Sequence, residues 1–177
     1  MKLIQLRPEL FVTEGHISSI GNSEIQCIRL AIADTPKRRA RINVHNNSTD
    51  TLHEMFIAIE RKSYIRPHKH PNKTESFHLI EGEVSVVIFN QLGGINQVVE
   101  LSKSDASKPF YYRLSAPLYH TLIIKSEILI MHEVTNGPFR ESDTVYADFS
   151  PSEDNTLDFE RYMETLEALV VKYQERA

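Results

Sequence analysis

The sequence predicts an all-β protein built as a double-sheet jelly roll or barrel, and three observations lead to this fold class. Short apolar runs recur along the chain with a period of two, which is typical of strands. Turn-forming residues separate these runs, as in Leu92-Gly93-Gly94. At 177 residues, with 41% hydrophobic and 25% charged residues, the chain suits one globular domain with a sizeable core.

The chain divides into three parts by pattern. We expect an N-terminal extension over residues 1–37, the β barrel over 38–151, and a C-terminal helix over 152–177. In the extension, residues 24–33 fit a helix or a strand, because their isoleucines satisfy both periods. An apolar stripe at helical spacing from Leu157 to Tyr173 predicts the C-terminal helix. Strands are expected near residues 39–45, 55–60, 64–70, 75–80, 84–89, 97–101, 110–114, 120–124 and 128–134.

Composition argues against several classes of partner. A formal net charge of −4 gives no general reason to expect nucleic acid or an anionic membrane. The basic run at residues 37–41 is either a solvated loop or a phosphate-binding patch. A single cysteine, Cys27, excludes an intrachain disulfide and fits a reducing compartment. No apolar run approaches the length of a membrane span, and no secretory signal is evident, so we expect a cytoplasmic protein.

A candidate metal site lies in residues 66–75. Side chains alternate faces along an extended strand, so His68 and His70 point the same way, and Glu75 follows five positions later. His120, in a second apolar strand pattern, is the fourth candidate. Three imidazoles and one carboxylate suit a divalent first-row ion and leave positions open for substrate. The alternative is that the paired histidines lie on a polar surface loop.

The same spacing resembles the first motif of the cupins: His-x-His, four residues, Glu, six residues, then Gly, here ending at Gly82. His120 falls where the second cupin motif has its histidine. More narrowly, the chain resembles the WbuC-type cupin-fold metalloproteins, small bacterial proteins often associated with surface-polysaccharide synthesis. The narrower resemblance rests on residues 38–45, 64–71, 133–134 and 137–139.

This resemblance has implications for fold, cofactor and assembly. It implies a cupin double-stranded β-helix, a jelly-roll barrel, with one divalent transition metal ion (Zn, Fe, Mn or Ni). The ligand types do not select among these ions. Cupins commonly form homodimers through sheet edges, so the resemblance makes a homodimer one candidate assembly and leaves the oligomeric state open.

Arginines near the predicted site are candidates for substrate binding. Arg66 shares strand parity with the paired histidines, and Arg41 and Asn43 share a face that the resemblance directs into the cavity. Arginine binds carboxylate or phosphate in bidentate fashion, so an anionic sugar derivative is a candidate substrate. The alternative is that both arginines are ordinary surface residues.

Proton carriers are also present. Tyr64 is a candidate catalytic residue by parity, and the resemblance adds His45, on the same face as Arg41 and Asn43, and Glu133. A core aromatic is the alternative for Tyr64. His16 and His53 are predicted to be surface residues.

Three functions fit these residues. The first is a metal-dependent isomerase or epimerase acting on a sugar or sugar-nucleotide precursor of surface polysaccharide. The second is an iron-dependent dioxygenase, and the third is a non-catalytic cupin that binds or senses a small ligand. The association with polysaccharide comes from the resemblance alone, because a shared fold does not fix function.

Overall fold

The computed structural model describes residues 1–176, which form two β-sheets and two α-helices. The strands are β1 (Lys2–Arg7), β2 (Leu10–Glu14), β3 (Arg39–Asn43), β4 (Leu52–Glu60), β5 (His68–Lys69), β6 (Glu75–Glu81), β7 (Glu83–Phe89), β8 (Ile95–Ser102), β9 (Tyr111–Leu114), β10 (Tyr119–Ile124), β11 (Ile128–Asn136) and β12 (Val145–Tyr146). The helices are α1 (Asn22–Ala31) and α2 (Thr156–Gln174), with single 3-10 turns at Ile32–Asp34 and Glu141–Asp143.

The two sheets face each other across an apolar core. One has seven strands in the order β1-β2-β3-β4-β11-β6-β9, and the other has five in the order β12-β5-β10-β7-β8. Leu79 and Leu129 from the first sheet pack with Val86 and Leu122 from the second. The crossing of successive strands between the sheets is that of a jelly roll, so the predicted fold class is confirmed. The sheets remain open at their edges and do not close into a continuous barrel.

The N-terminal residues extend the larger sheet. β1 and β2 form a hairpin, and β2 runs parallel to β3 in a sheet whose other pairings are antiparallel. The segment that fitted either period is the helix α1. Ile25 and Ile28 of α1 are buried against Ala40 and Ile42, on the outer face of β3. Helix α1 therefore covers the face of this sheet that points away from the second sheet.

The predicted strand at residues 64–70 is wrong over most of its length. Only His68 and Lys69 are in a strand, and residues 62–67 have no regular secondary structure. Pro67 has no N–H to donate to a sheet and restricts the residue before it. Strand parity consequently does not fix the direction of Tyr64 or Arg66.

The motif glycine sits in the tight turn between β6 and β7. Gly82 has a φ of +90°, a region that glycine adopts without strain. A Cβ atom at this position would lie 2.6 Å from the carbonyl oxygen of Ile128, which is closer than van der Waals contact allows. Both the conformation and the close approach therefore require glycine here.

Helix α2 matches the predicted C-terminal helix. Its side chains Leu166 and Val170 are buried against Val87 and Ile123, on the outer face of the five-stranded sheet. The Asn155 side chain caps its first turn. Within residues 1–176, no helix is both long and apolar enough to cross a membrane.

Candidate metal centre

Three histidines converge at one end of the space between the sheets. His68 on β5 and His120 on β10 are direct cross-strand partners, and His70 follows β5 immediately. One ring nitrogen from each residue lies within 4.8 Å of those from the other two. Local sequence and sheet pairing therefore bring together residues that are about fifty positions apart in the chain.

The other nitrogen of each ring has a backbone partner. Each Nδ1 lies within hydrogen-bond distance of a main-chain carbonyl, which holds the proton on Nδ1 and leaves Nε2 as a lone-pair donor. Such outer contacts are typical of metal-binding histidines. The pairs are His68 Nδ1 with Arg66 O at 2.8 Å, His70 Nδ1 with Asp143 O at 2.8 Å, and His120 Nδ1 with Leu118 O at 3.0 Å.

Glu75, at the start of β6, completes a four-residue cluster. Its Oε1 lies 2.7 Å from His120 Nε2, and its Oε2 lies 3.4 Å from His70 Nε2. The carboxylate is only 4% exposed, and Oε1 has no hydrogen-bond partner of acceptable geometry among the described residues. A buried acceptor without a donor is costly, and a shared cation satisfies both this oxygen and the imidazole nitrogens. These four residues fit a divalent metal ion.

The ionisation of these groups reflects their burial together. Burial, reinforced by the nearby His120, lowers the pKa of His68 to about 4. Burial acts to raise the pKa of Glu75, but the close approach of the His120 and His70 imidazoles overcomes it and the pKa is lowered. Burial acts to lower the pKa of His70, but the contacts with Glu75 outweigh burial and the pKa is raised. The metal-free cluster thus combines an ionised carboxylate with neutral His68, a good arrangement for a cation.

A strap formed by residues 139–150 covers the cluster. β12 in this strap pairs with β5, so that Tyr146 lies opposite His68. Asp143 accepts from the His70 ring through its carbonyl, and its carboxylate lies 3.6 Å from Lys73 Nζ. The side chains of Lys73 and Asp143 are both about nine-tenths buried. The strap therefore fixes the orientation of His70.

A cavity of about 760 Å³ opens beside the histidines. Its wall includes the inner face of the larger sheet, where cross-strand partners share a face. Asn43 pairs with Met55, and Met55 pairs with Glu133, so these three side chains form one row across β3, β4 and β11. Arg41, two residues from Asn43, belongs to the same face and also lines the cavity. The predicted facing of β3 toward the cavity is thus observed.

Glu133 is the second carboxylate of the cavity. Burial, followed by the negative charge of Glu75, raises its pKa to about 7, and Arg41 and the histidines only partly offset these effects. Although protein atoms surround Glu133, solvent reaches part of the residue through the open cavity that it lines. Two carboxylates whose pKa values are pushed apart in one cavity are typical of acid–base sites.

The remaining predicted residues have mixed positions. His45 lines the cavity rim, where its Nδ1 lies 3.1 Å from Glu54 O. Arg66 also lines the cavity, but its guanidinium donates to the Ala147 and Ser150 carbonyls at 3.3 and 3.4 Å. These hydrogen bonds show that Arg66 stabilises the strap.

Tyr64 is not brought to the cavity. Its side chain is buried, its hydroxyl donates to Pro151 O at 3.0 Å, and its ring stacks on Phe159 of α2. This is the position of a core aromatic. His53, expected at the surface, is instead 4% exposed and stacks on His45 with ring centroids 4.0 Å apart. That expectation was wrong because β4 begins at Leu52, and His53 is on its inward-facing side.

Lys73 and Asp143 are site residues that the sequence analysis did not find. Lys73 lies in the loop after the paired histidines, and Asp143 lies in a segment that shows no strand or helix periodicity. No motif signals their pairing, because they meet only through the path of the strap. A lysine so close to two candidate ligands was the only available hint.

The fold is a cupin-like jelly roll, and its three convergent imidazoles with an adjacent carboxylate form a cluster that could hold a metal ion. This donor set accepts several divalent metals. A family model described as a domain of unknown function, DUF6016, matches residues 20–101. The comparison with curated proteins finds no match.

Solved structures with related folds have low sequence identity. A Shewanella oneidensis protein from a structural genomics consortium has 9% identity and a TM-score of 0.49, with 71% of this chain and 78% of that chain covered. KdgF from Halomonas sp. has 14% identity and a TM-score of 0.46, with 61% and 86% covered. Bacillus subtilis oxalate decarboxylase, described with Mn(II) centres, has 15% identity and a TM-score of 0.46, with 61% and 27% covered. Because these TM-scores are below 0.5, the fold assignment rests on the strand pairing of this chain.

Proposed function

We propose that this protein is a metal-dependent enzyme that moves a proton on a small, anionic sugar-type substrate, as an isomerase or epimerase does. The observation that carries the proposal is Glu133. It faces the cavity that contains the histidine cluster, within the same row as Asn43, and burial raises its pKa to about 7 in the metal-free protein, so its carboxyl is suited to exchange a proton with a bound substrate.

The cavity supplies the other parts of such a site. A divalent ion held by His68, His70, Glu75 and His120 would polarise a carbonyl or hydroxyl oxygen of the substrate. Asn43 has a buried side-chain oxygen with no partner among the described residues, so it can accept a hydrogen bond from a substrate hydroxyl. His45 at the rim is the second proton carrier.

The chemical class follows from the lining. Apolar side chains such as Ile57 and Met131 lie beside the polar row, so the cavity favours a molecule with one polar and one less polar face, as sugars have. The resemblance to WbuC-type proteins, together with the open metal cluster, supports a precursor of surface polysaccharide as the substrate.

Solvent exchange tests the reaction type directly. Metal-loaded protein is incubated in D2O with a panel of hexose phosphates and nucleotide-linked sugars, and 1H NMR monitors loss of the signal at the carbon beside the carbonyl. We expect deuterium incorporation, reduced at least 100-fold in Glu133→Gln with metal content unchanged. Glu127→Gln, which alters an exposed carboxylate outside the cavity, should match wild type.

Two other outcomes would contradict the proposal. Oxygen consumption with iron-loaded protein and no deuterium exchange would favour a dioxygenase. Saturable binding of panel members with neither exchange nor oxygen uptake would favour a binding or sensing cupin.

A further inference from the structure

We infer that the end of the cavity away from the histidines binds an oxyanion through three arginines contributed by the N-terminal hairpin and β3. The substrate is therefore elongated, with a metal-binding oxygen at one end and a phosphoryl or carboxylate group at the other. This inference rests on the proposed function and specifies its substrate class. We call Arg7, Arg39 and Arg41 the arginine wall.

Sheet register brings the arginine wall together. Arg7 is the cross-strand partner of Leu10, and Leu10 is the partner of Arg41, so these three residues form one row across β1, β2 and β3. The backbone N–H of Arg41 donates to Glu9 O at 2.8 Å, which fixes the hairpin against β3. Arg39 lies two residues from Arg41 on the same face, and all three arginines line the cavity.

The charges on this wall are not fully compensated by the protein. Arg7 lies 3.8 Å from Glu9, and Arg39 shares Glu153 with Lys37. Among the described residues, no ion pair or side-chain hydrogen bond involves the Arg41 guanidinium, and the acidic groups that act on its charge are Glu133 and Glu9, the latter already close to Arg7. A guanidinium in this position has donors in a fork that matches carboxylate or phosphate oxygens.

The environment of Arg41 is unfavourable for a cation without a counter-ion. Burial among protein atoms lowers its pKa, and the neighbouring Arg7 and Arg39 add to this effect while Glu133 and Glu9 oppose it. Solvent nevertheless reaches the side chain through the cavity mouth, so Arg41 stays charged at neutral pH. An anion at this point relieves the repulsion among the arginines.

The distance across the sheet sets the length of the ligand. From Arg41 the row continues through Ile57 on β4 and Met131 on β11 to Leu79 on β6, the strand that carries Glu75. Glu75 lies four residues from Leu79 along β6, so the backbone at Arg41 and at Glu75 is separated by roughly 14 Å across three strand spacings and roughly 13 Å along the strand, about 19 Å in all. The long side chains shorten the gap, which suits a sugar-sized unit between the two polar groups.

The test measures anion binding separately from metal binding. Inorganic phosphate and acetate are titrated by isothermal calorimetry into the full-length protein, once loaded with zinc and once stripped of metal. We expect phosphate or acetate to bind in both states, with Arg41→Gln weakening binding at least tenfold and Arg7→Gln weakening it less. Arg113→Gln, an exposed arginine on the outer face of β9, is the matched control and should bind as wild type does.

A second measurement tests the elongated shape. Glucose 6-phosphate should bind zinc-loaded wild type at least tenfold more tightly than inorganic phosphate, and stripping the metal should remove that gain. Arg41→Lys keeps the charge but loses the fork, so it should show an intermediate loss. The stronger of phosphate and acetate in the metal-free protein identifies the preferred oxyanion.

Failure of this inference differs from failure of the proposed function. Equal anion affinity in wild type and Arg41→Gln overturns the inference, as does anion binding that disappears with the metal and is unaffected by Arg41→Gln. Either result leaves metal content and deuterium exchange intact. If wild-type protein binds no metal but still binds phosphate in an Arg41-dependent way, the proposed function is overturned and the arginine wall is retained.

Discussion

The Nδ1 atom of His70 and the main-chain oxygen of Asp143 are 2.8 Å apart, although 73 residues separate them in the chain. The contact orients one of the three convergent imidazoles. It is held by the ion pair of Asp143 with Lys73, which is nearly excluded from solvent. The candidate metal centre therefore depends on a strap outside the cupin motif.

Removing Lys73 should weaken both the fold and the metal site. Lys73→Met leaves the Asp143 carboxylate buried without its partner, so we expect the free energy of unfolding to fall by roughly 3 kcal/mol. The loosened strap should also reduce metal affinity by about 10- to 100-fold. Urea unfolding and competition with a chromophoric chelator measure the two effects.

Lys108→Met is the matched control for this substitution. Lys108 pairs with Asp105 at the surface, with 36% and 41% of the side chains exposed. Exposed pairs of this kind contribute about 0–1 kcal/mol. Equal stability and metal affinity in the two variants would show that the strap does not position His70.

Glu133 should make the metal-free protein less stable as pH rises. Its folded pKa of about 7 is above the ordinary value of 4.5, so the folded state binds more protons between these values. Stability from this group is present below pH 4.5 and is lost as pH rises to about 7. Glu133→Gln should remove the loss and be more stable than wild type at pH 8 by roughly 2–3 kcal/mol.

Chemical unfolding of metal-stripped protein at pH 5 and pH 8 checks this expectation. Glu127→Gln, at an exposed loop position, should follow wild type at both pH values. A Glu133→Gln variant with the same pH dependence as wild type would show that Glu133 titrates normally.

Metal binding should release a proton near neutral pH. His70 has a raised pKa because the Glu75 contacts outweigh the effect of burial, so part of the metal-free protein carries a protonated His70. The ion binds only the neutral ring, and affinity should therefore fall as pH is lowered through this pKa. Calorimetry in two buffers of different ionisation enthalpy counts the released protons.

Glu75→Gln provides the comparison. Without the carboxylate, His70 loses the partner that raises its pKa, and proton release at pH 7 should decrease along with affinity. Identical proton counts for wild type and the variant would rule out the His70–Glu75 coupling.

Much of the fold was readable from the sequence because it depends on local pattern. Strands that are apolar on both faces, such as β7, and the apolar stripe of α2 express their burial directly in residue type. The motif spacing located His68, His70 and Glu75, since all three lie within one short strand–loop–strand segment. Gly82 was identifiable for the same reason.

The parts that were missed depend on contacts between distant segments. The N-terminal hairpin joins the sheet through a parallel pairing that no local period encodes. The predicted direction of the Tyr64 side chain was wrong because Pro67 interrupts the strand on which the parity argument relied. Neither the partner of Lys73 nor the row linking Arg7 to Arg41 has a signal in the linear sequence.

Metal content of the purified protein tests the central claim most directly. After equilibration with zinc and removal of excess ion, elemental analysis should find about one ion per chain in wild type and in His78→Ala, whose imidazole is exposed on the opposite face of β6. His70→Ala, folded as judged by circular dichroism, should retain less than about a tenth of that amount. Equal zinc content in His70→Ala and wild type would contradict the account.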